Sequence, residues 1–212
     1  MSDAVRIRRA GDRGVLLEPQ ERGDVAALVR MLRQAELPGV EDVLPAATTV
    51  LVTTKSVSDR VVVEQQLPGL CADMDRTAAD ASDAYLVTIA VRYDGSDLDD
   101  VATLLGISVN DVVAAHTGTE WRCGFVGFAP GFGYLESADS GLTVPRRTQS
   151  RTAVPAGSVA LADGYSAVYP RRSPGGWQII GTTDQQLWDP SNAHPALLHP
   201  GTRVRFTDVS RS

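Results

Sequence analysis

Residues 154–181 read VPAGSVALADGYSAVYPRRSPGGWQIIG. Brief runs of Val, Ala, Ile and Tyr are broken again and again by Gly and Pro, which is how short strands joined by tight turns look in sequence. The pattern extends in both directions. From Trp121 onward the chain is built of such runs, and 12 of the 19 glycines fall between Gly118 and Gly201. Many short strands with frequent turns imply a closed or nearly closed β-barrel.

Toward the amino terminus the character changes. All 12 aromatic residues lie at or after Tyr85. The stretch CADMDRTAADASDA, residues 71–84, is acidic, rich in small residues and aperiodic, and reads as an exposed connection. We therefore expect a small α/β domain over 1–84, with an acidic linker at 71–84, followed by a β-barrel domain over 85–212. Val5–Arg8 and Val15–Glu18 read as strands around a Gly11–Gly14 turn. Asp24 is a plausible N-cap for a helix that buries Val25, Leu28, Val29 and Leu32 on one face. Val40–Leu44 and Thr48–Thr53 are β-like, and Asp59–Leu67 reads as a second helix ending near Pro68-Gly69. Together these suggest a small α/β sandwich resembling a ferredoxin-like unit. Beyond the linker, Tyr85–Tyr93 alternates as a strand, Leu98–Leu105 and Val109–His116 read as helices, and Ser108 with Asp111 resembles a capping box.

Composition excludes several classes. The chain has 212 residues, 43% hydrophobic and 22% charged, which is ordinary globular usage. No apolar run reaches membrane-spanning length, and the first residues lack a secretory signal, so the expectation is a cytoplasmic protein. Cys71 and Cys123 are too few for a disulfide framework and are expected as reduced thiols. Of 20 basic residues only Lys55 is lysine, and it follows Thr54, so no Walker-type phosphate loop exists. Residues 1–84 carry 14 acids and 10 bases, 85–145 carry 8 and 2, and 146–212 carry 4 and 8. With a net charge of −6, nucleic acid is not an expected partner, whereas an arginine cluster in the last third could hold a small anion.

Chemistry concentrates in three places. Gly127–Tyr134 joins glycines to three aromatics: it either offers backbone amides to a ligand between apolar walls, or is a tight barrel turn. Ser173–Trp177 places Gly175-Gly176 before a tryptophan, which permits close approach of a ligand, a partner or a neighbouring strand. Arg146, Arg147 and Arg151 lie between them, as anion-binding guanidinium forks or as a solvated cluster. His116 could transfer a proton or merely cap the end of its helix. His194 and His199, five residues apart with no third ligand nearby, are poor metal candidates, and none is expected.

Four segments in order, GFAPGFGYL (127–135), VPAGSV (154–159), YPRRSPGGWQIIG (169–181) and PALLHPGTRVRF (195–206), resemble the allophanate hydrolase subunit 1 family. That family includes the B component of 5-oxoprolinase and an inhibitor of a sporulation histidine kinase. GDRGVLLE, VEDVLPAATTVLV and VRYDGSDLDDVA keep the same order, so the resemblance covers nearly the whole chain. It implies an α+β protein, mainly β in its carboxy-terminal part: a cyclophilin-like β-barrel preceded by the small ferredoxin-like domain. It also implies a subunit of a heteromeric, ATP-dependent amide or lactam hydrolase. Such a subunit is inactive without a homologous second one (allophanate hydrolase subunit 2, or the C component of 5-oxoprolinase) and, in 5-oxoprolinase, a third component. The alternative is a regulatory protein that inhibits a sensor histidine kinase. Carried onto this chain, the resemblance implies catalytic roles for His116, Arg146 and Arg151. Contacts with a small acid substrate fall to Pro130, Gly131, Phe132, Tyr134, Ser158, Ser173, Pro174, Gly175, Gly176 and Trp177. The chain departs from the usual pattern at Ser150, at Tyr165-Ser166-Ala167-Val168 and at Thr182.

Overall fold

The computed structural model describes residues 5–21, 23–74, 85–137 and 139–210. The chain divides into two compact units, Met1–Ala81 and Ser82–Ser212.

In the first unit, β1 (Val5–Arg9) and β2 (Gly14–Pro19) form a hairpin, followed by α1 (Asp24–Gln34), β3 (Val40–Pro45), β4 (Val50–Thr54) and α2 (Val57–Ala72). The sheet order is β1-β2-β4-β3, antiparallel throughout, with both helices packed on the sheet. This is the order of a ferredoxin-like unit whose last strand has been moved to the front of the chain. The apolar stripe on α1 is buried as its spacing requires, but the N-cap is Gly23, with Asp24 in the first turn where a carboxylate favours the helix dipole. The second helix is longer than the sequence suggests. Ser56 caps it, its Oγ accepting from the Asp59 N–H at 3.1 Å, and the helix continues through Pro68. Val63, Leu67 and Cys71 repeat every four residues along one buried face, and that burial outweighs the single hydrogen bond the proline forfeits. Cys71 and Met74 therefore belong to the core, not to a linker. The remainder of the expected linker, 75–84, lies outside the described residues.

The second unit begins with β5 (Leu86–Val91), α3 (Leu98–Leu105) and α4 (Val109–Gly118). Gly106, in the left-handed conformation at φ 68°, terminates α3, and the Ser108–Asp111 capping box starts α4. There follow β6 (Glu120–Val126), β7 (Gly133–Glu136), β8 (Arg151–Val154), β9 (Ser158–Ala162), β10 (Tyr165–Val168), β11 (Ser173–Gly175), β12 (Gln178–Thr182) and β13 (Arg203–Asp208). Seven of these strands form one sheet in the order β12-β9-β10-β7-β6-β13-β5, antiparallel except for β13 against β5. The edges nearly close. Arg92 and Thr182 exchange backbone hydrogen bonds of 2.8 Å in each direction, joining the end of β5 to β12. Asp163-Gly164, both at positive φ, makes the two-residue turn between β9 and β10. Trp121, Leu135, Leu161, Ile180 and Phe206 fill the core of the unit, and β8 with β11 forms a separate two-stranded ribbon. The chain is thus a mixed α+β protein dominated by strands. Among the described residues no helix is long and apolar enough to cross a membrane.

Candidate functional site

The Gly127–Tyr134 loop folds upon itself. The Ala129 amide donates to the Gly127 carbonyl, the Phe132 amide to that of Ala129, and the Gly127 amide to that of Phe132, at 2.7–3.2 Å. Those three donors are consumed within the loop rather than offered to a ligand. Gly131, at φ 80°, sits so close to Trp188 that an added Cβ would lie 2.8 Å from the tryptophan's own Cβ. Pro130 is exposed on the loop. Phe128 also adopts a positive φ of 66° and is 56% exposed, whereas Phe132 is 1% exposed.

Phe132 and Tyr134 meet the second loop on one face of the sheet. Trp177 lies 5.6 Å, centroid to centroid, from each of them, and Tyr169 lies 5.3 Å from Phe132. The glycines before Trp177 serve this packing. A Cβ on Gly175 would come within 2.3 Å of the Tyr169 hydroxyl, and one on Gly176 within 2.9 Å of Ser150 Oγ. Of the three readings open in the sequence, close approach of the chain's own residues accounts for both glycines. Ser173 Oγ donates to the Arg171 carbonyl, Pro174 is exposed beside it, and Ser158 is buried at the start of β9.

The arginines separate into two kinds. Arg146 is 60% exposed and pairs with Asp163 at 3.0 Å. Arg147 and Arg151 turn inward to a single carboxylate, that of Asp97, whose Oδ1 accepts from Arg147 Nη1 at 2.5 Å and Arg151 Nη2 at 2.6 Å. Oδ2 of Asp97 accepts from the Ile179 amide at 2.7 Å, so one acid, 2% exposed at its side chain, ties α3, both arginines and β12 together. Arg151 also donates to Ser96. The arginine-bearing segment runs alongside the Gly-Gly-Trp loop: Arg151 is the register partner of Gly175, and the Arg147 amide donates to the Gly176 carbonyl at 2.7 Å. Burial pushes the Tyr134 and Tyr169 phenols above their usual range, while the charge of Arg146 acts on both in the opposite sense, as does that of Arg151 on Tyr169. Arg146 and Arg151 therefore share a neighbourhood with the two aromatic loops.

His116 does not join them. It is 0% exposed, with Nδ1 hydrogen-bonded to the Tyr93 hydroxyl at 2.7 Å, Nε2 to Ser166 Oγ at 2.8 Å, and its ring stacked on Phe206 at 4.2 Å. Burial lowers its pKa to about 3, so it is neutral at pH 7. A proton-transfer group must reach its substrate, and this imidazole is enclosed by Tyr93, Trp121, Ser166 and Phe206. The helix-capping alternative also fails, since both ring nitrogens serve side chains. Asp97 is the residue that sequence reasoning missed. Placed before Leu98, it looks like an ordinary helix cap, yet it makes no side-chain cap bond.

Comparison with known proteins decides the family. The family model described as carboxyltransferase domain, subdomain C and D, matches residues 5–198. The B component of 5-oxoprolinase from Escherichia coli O157:H7 is 34% identical over 92% of this chain and 92% of its own length. The chain belongs to the family of 5-oxoprolinase B components. Among solved structures, TTHA0988 is 35% identical with a TM-score of 0.73, covering 92% of this chain and 40% of that one. The chain thus spans less than half the length of that protein. Urea carboxylase of Kluyveromyces lactis, 20% identical, shares the fold with a TM-score of 0.79, over 97% of this chain and 22% of its own.

Proposed function

We propose that this chain is one subunit of an ATP-dependent hydrolase acting on the amide or lactam bond of a small carboxylic acid, of 5-oxoprolinase or allophanate hydrolase type. The observation that carries the reading is the gathering of Arg146 and Arg151 beside the two aromatic loops, with a buried acid holding Arg151 in place. Guanidinium groups stay charged at neutral pH and match a carboxylate fork-to-fork, so they can hold the acid end of a substrate or negative charge developing on its amide. Aromatic walls beside them exclude water, which strengthens that attraction.

The chain does not supply the whole reaction in this reading. Lys55, its single lysine, follows β4, and no Gly-Lys-Ser/Thr phosphate loop is present, so an ATP site of that type is not assigned to this chain. With His116 enclosed, a proton donor or acceptor must also come from elsewhere, and a homologous subunit completing the site is the expected source. The test is reconstitution. ATP-dependent hydrolysis of 5-oxoproline, and of allophanate, is measured with the chain alone and with the product of the adjacent open reading frame, including any third component. Turnover is expected only in the assembly, with Arg146→Ala and Arg151→Ala each lowering it at least about tenfold. Turnover by the isolated chain, or full activity in both variants, would refute the shared site.

A further inference from the structure

Both helices of the first unit cover the same face of its sheet. Val5 of β1, Val15 and Leu17 of β2, Val43 of β3, and Val50 and Val52 of β4 share one core with them, so the alternate residues of every strand point the other way. The register lines those residues up in rows. Arg8, Leu16, Leu51 and Leu44 stand opposite one another across β1, β2, β4 and β3, and Gly14, Thr53 and Asp42 form the row beside them. Leu16 and Leu51 hold the centre of this open face, partly buried by their neighbours, and Leu44 is 44% exposed. Charge divides the two edges. The β1 edge presents Arg6 and Arg8, with side chains 70% and 55% exposed, which reach a single acid, Glu18, at 3.8 and 2.9 Å. The β3 edge presents Asp42, exposed with Glu41 beside it. A sheet face turned to water is ordinarily polar, so a row of leucines between a basic and an acidic edge is the pattern of a contact surface.

We propose that this open face pairs with the same face of a second copy of the chain, about a two-fold axis that runs parallel to the strands between β2 and β4. That operation lays Leu16 of each copy on Leu51 of the other, and each β1 edge over the opposite β3 edge. The Arg8 stem then crosses Leu44 of the second copy, and its guanidinium reaches Asp42 one row further on, about 7 Å along the strand. Self-match selects a second copy as the occupant. The leucine pair is symmetric about the midline of the face while the charge changes sign across it, so half a turn satisfies both at once. Two cations sharing one acid on the β1 edge leave attraction for a carboxylate from outside. Four strands about 4.8 Å apart and about five residues long give a footprint of roughly 300 Å². With side-chain relief the pair buries on the order of 1,000 Å² in total, the lower bound of a specific interface, so the dimer is weak, with a dissociation constant on the order of tens of micromolar.

Sedimentation equilibrium of the full chain, from about 5 to about 500 µM, reads the association directly. A monomer–dimer equilibrium is expected, and Leu51→Asp is expected to abolish the dimer with the far-UV circular dichroism unchanged. Arg8→Glu and Asp42→Arg are each expected to raise the dissociation constant about tenfold, and the two together to return it to within about threefold of the parent, since the exchanged charges meet again across the axis. That recovery also shows that the single variants fold. A chain that stays monomeric throughout, a dimer indifferent to Leu51→Asp, or a double variant no tighter than the singles overturns the pairing. If the chain alone is monomeric and Leu51→Asp instead weakens assembly with the product of the adjacent open reading frame, the face belongs to that subunit and the two-copy pairing falls.

Discussion

Asp97 holds together parts of the chain that are far apart in sequence, since Arg147, Arg151 and Ile179 all converge on its two oxygens. Removing one member of an enclosed ion cluster leaves the others uncompensated, which usually costs more than the attraction itself returned. Asp97→Asn is expected to lower the unfolding free energy by about 3 kcal/mol, read as a drop in the urea midpoint, whereas Arg147→Met is milder because Arg151 still compensates the acid. An unchanged midpoint in Asp97→Asn would show that the acid is not the counter-ion. His116 predicts a pH dependence of definite sign. Its folded pKa, about 3, lies below the ordinary value of 6.5, so the unfolded chain takes up the proton first. The stability tied to the neutral ring is complete above about pH 6.5 and is lost as pH falls toward 3, by about 2 kcal/mol at pH 5. Urea titrations at pH 7 and pH 5 test this, and His116→Gln is expected to reduce the slope while destabilising the protein at both values.

Elements were legible where local signals agree. The stripe of Val25, Leu28, Val29 and Leu32 and the Ser108–Asp111 box lie within a few residues of what they control, and α1 and α4 follow them. The second helix departed from expectation because Pro68 is a local signal overruled by a tertiary one, the burial of Leu67 and Cys71 on the sheet. This makes a simple test. Pro68→Ala restores a helical N–H without touching that buried face and is expected to stabilise the protein by about 1–3 kcal/mol, visible as a higher melting temperature. Loss of stability would mean that the proline is favoured by its surroundings. The loops around Trp177 show the converse limit. Two glycines in a row announce close approach, but only the folded chain reveals that Tyr169 and Ser150 are what approaches.

At the scale of the whole barrel unit, closure depends on a narrow seam. Arg92 and Thr182 are joined by two backbone hydrogen bonds, and Gly181 permits it, since a Cβ there would fall 2.5 Å from the Arg92 carbonyl oxygen. The Arg92–Asp184 ion pair crosses the same seam, although its exposure to water makes it a minor contributor. Gly181→Val is expected to part β12 from β5, seen as faster hydrogen exchange at the Arg92 and Thr182 amides while the β1–β4 sheet keeps its protection. Equal exchange in both proteins would mean that the seam accommodates the added side chain, held by the neighbouring bonds from the Gly95 and Asp97 amides to the Ile180 and Ile179 carbonyls.

Taken by itself, the sequence determined the division of labour along the chain: a helix-bearing sheet without aromatics first, then many short strands punctuated by glycine. Periodicity and turn chemistry are local, and local physics suffices for them. Only the tertiary structure decided which charges meet. Asp94, Asp97, Asp99 and Asp100 look alike in sequence, as do Arg146, Arg147 and Arg151. It is barrel closure that buries Asp97 against Arg147 and Arg151 and encloses His116, because burial and pairing depend on residues 50 to 82 positions away that no local pattern records.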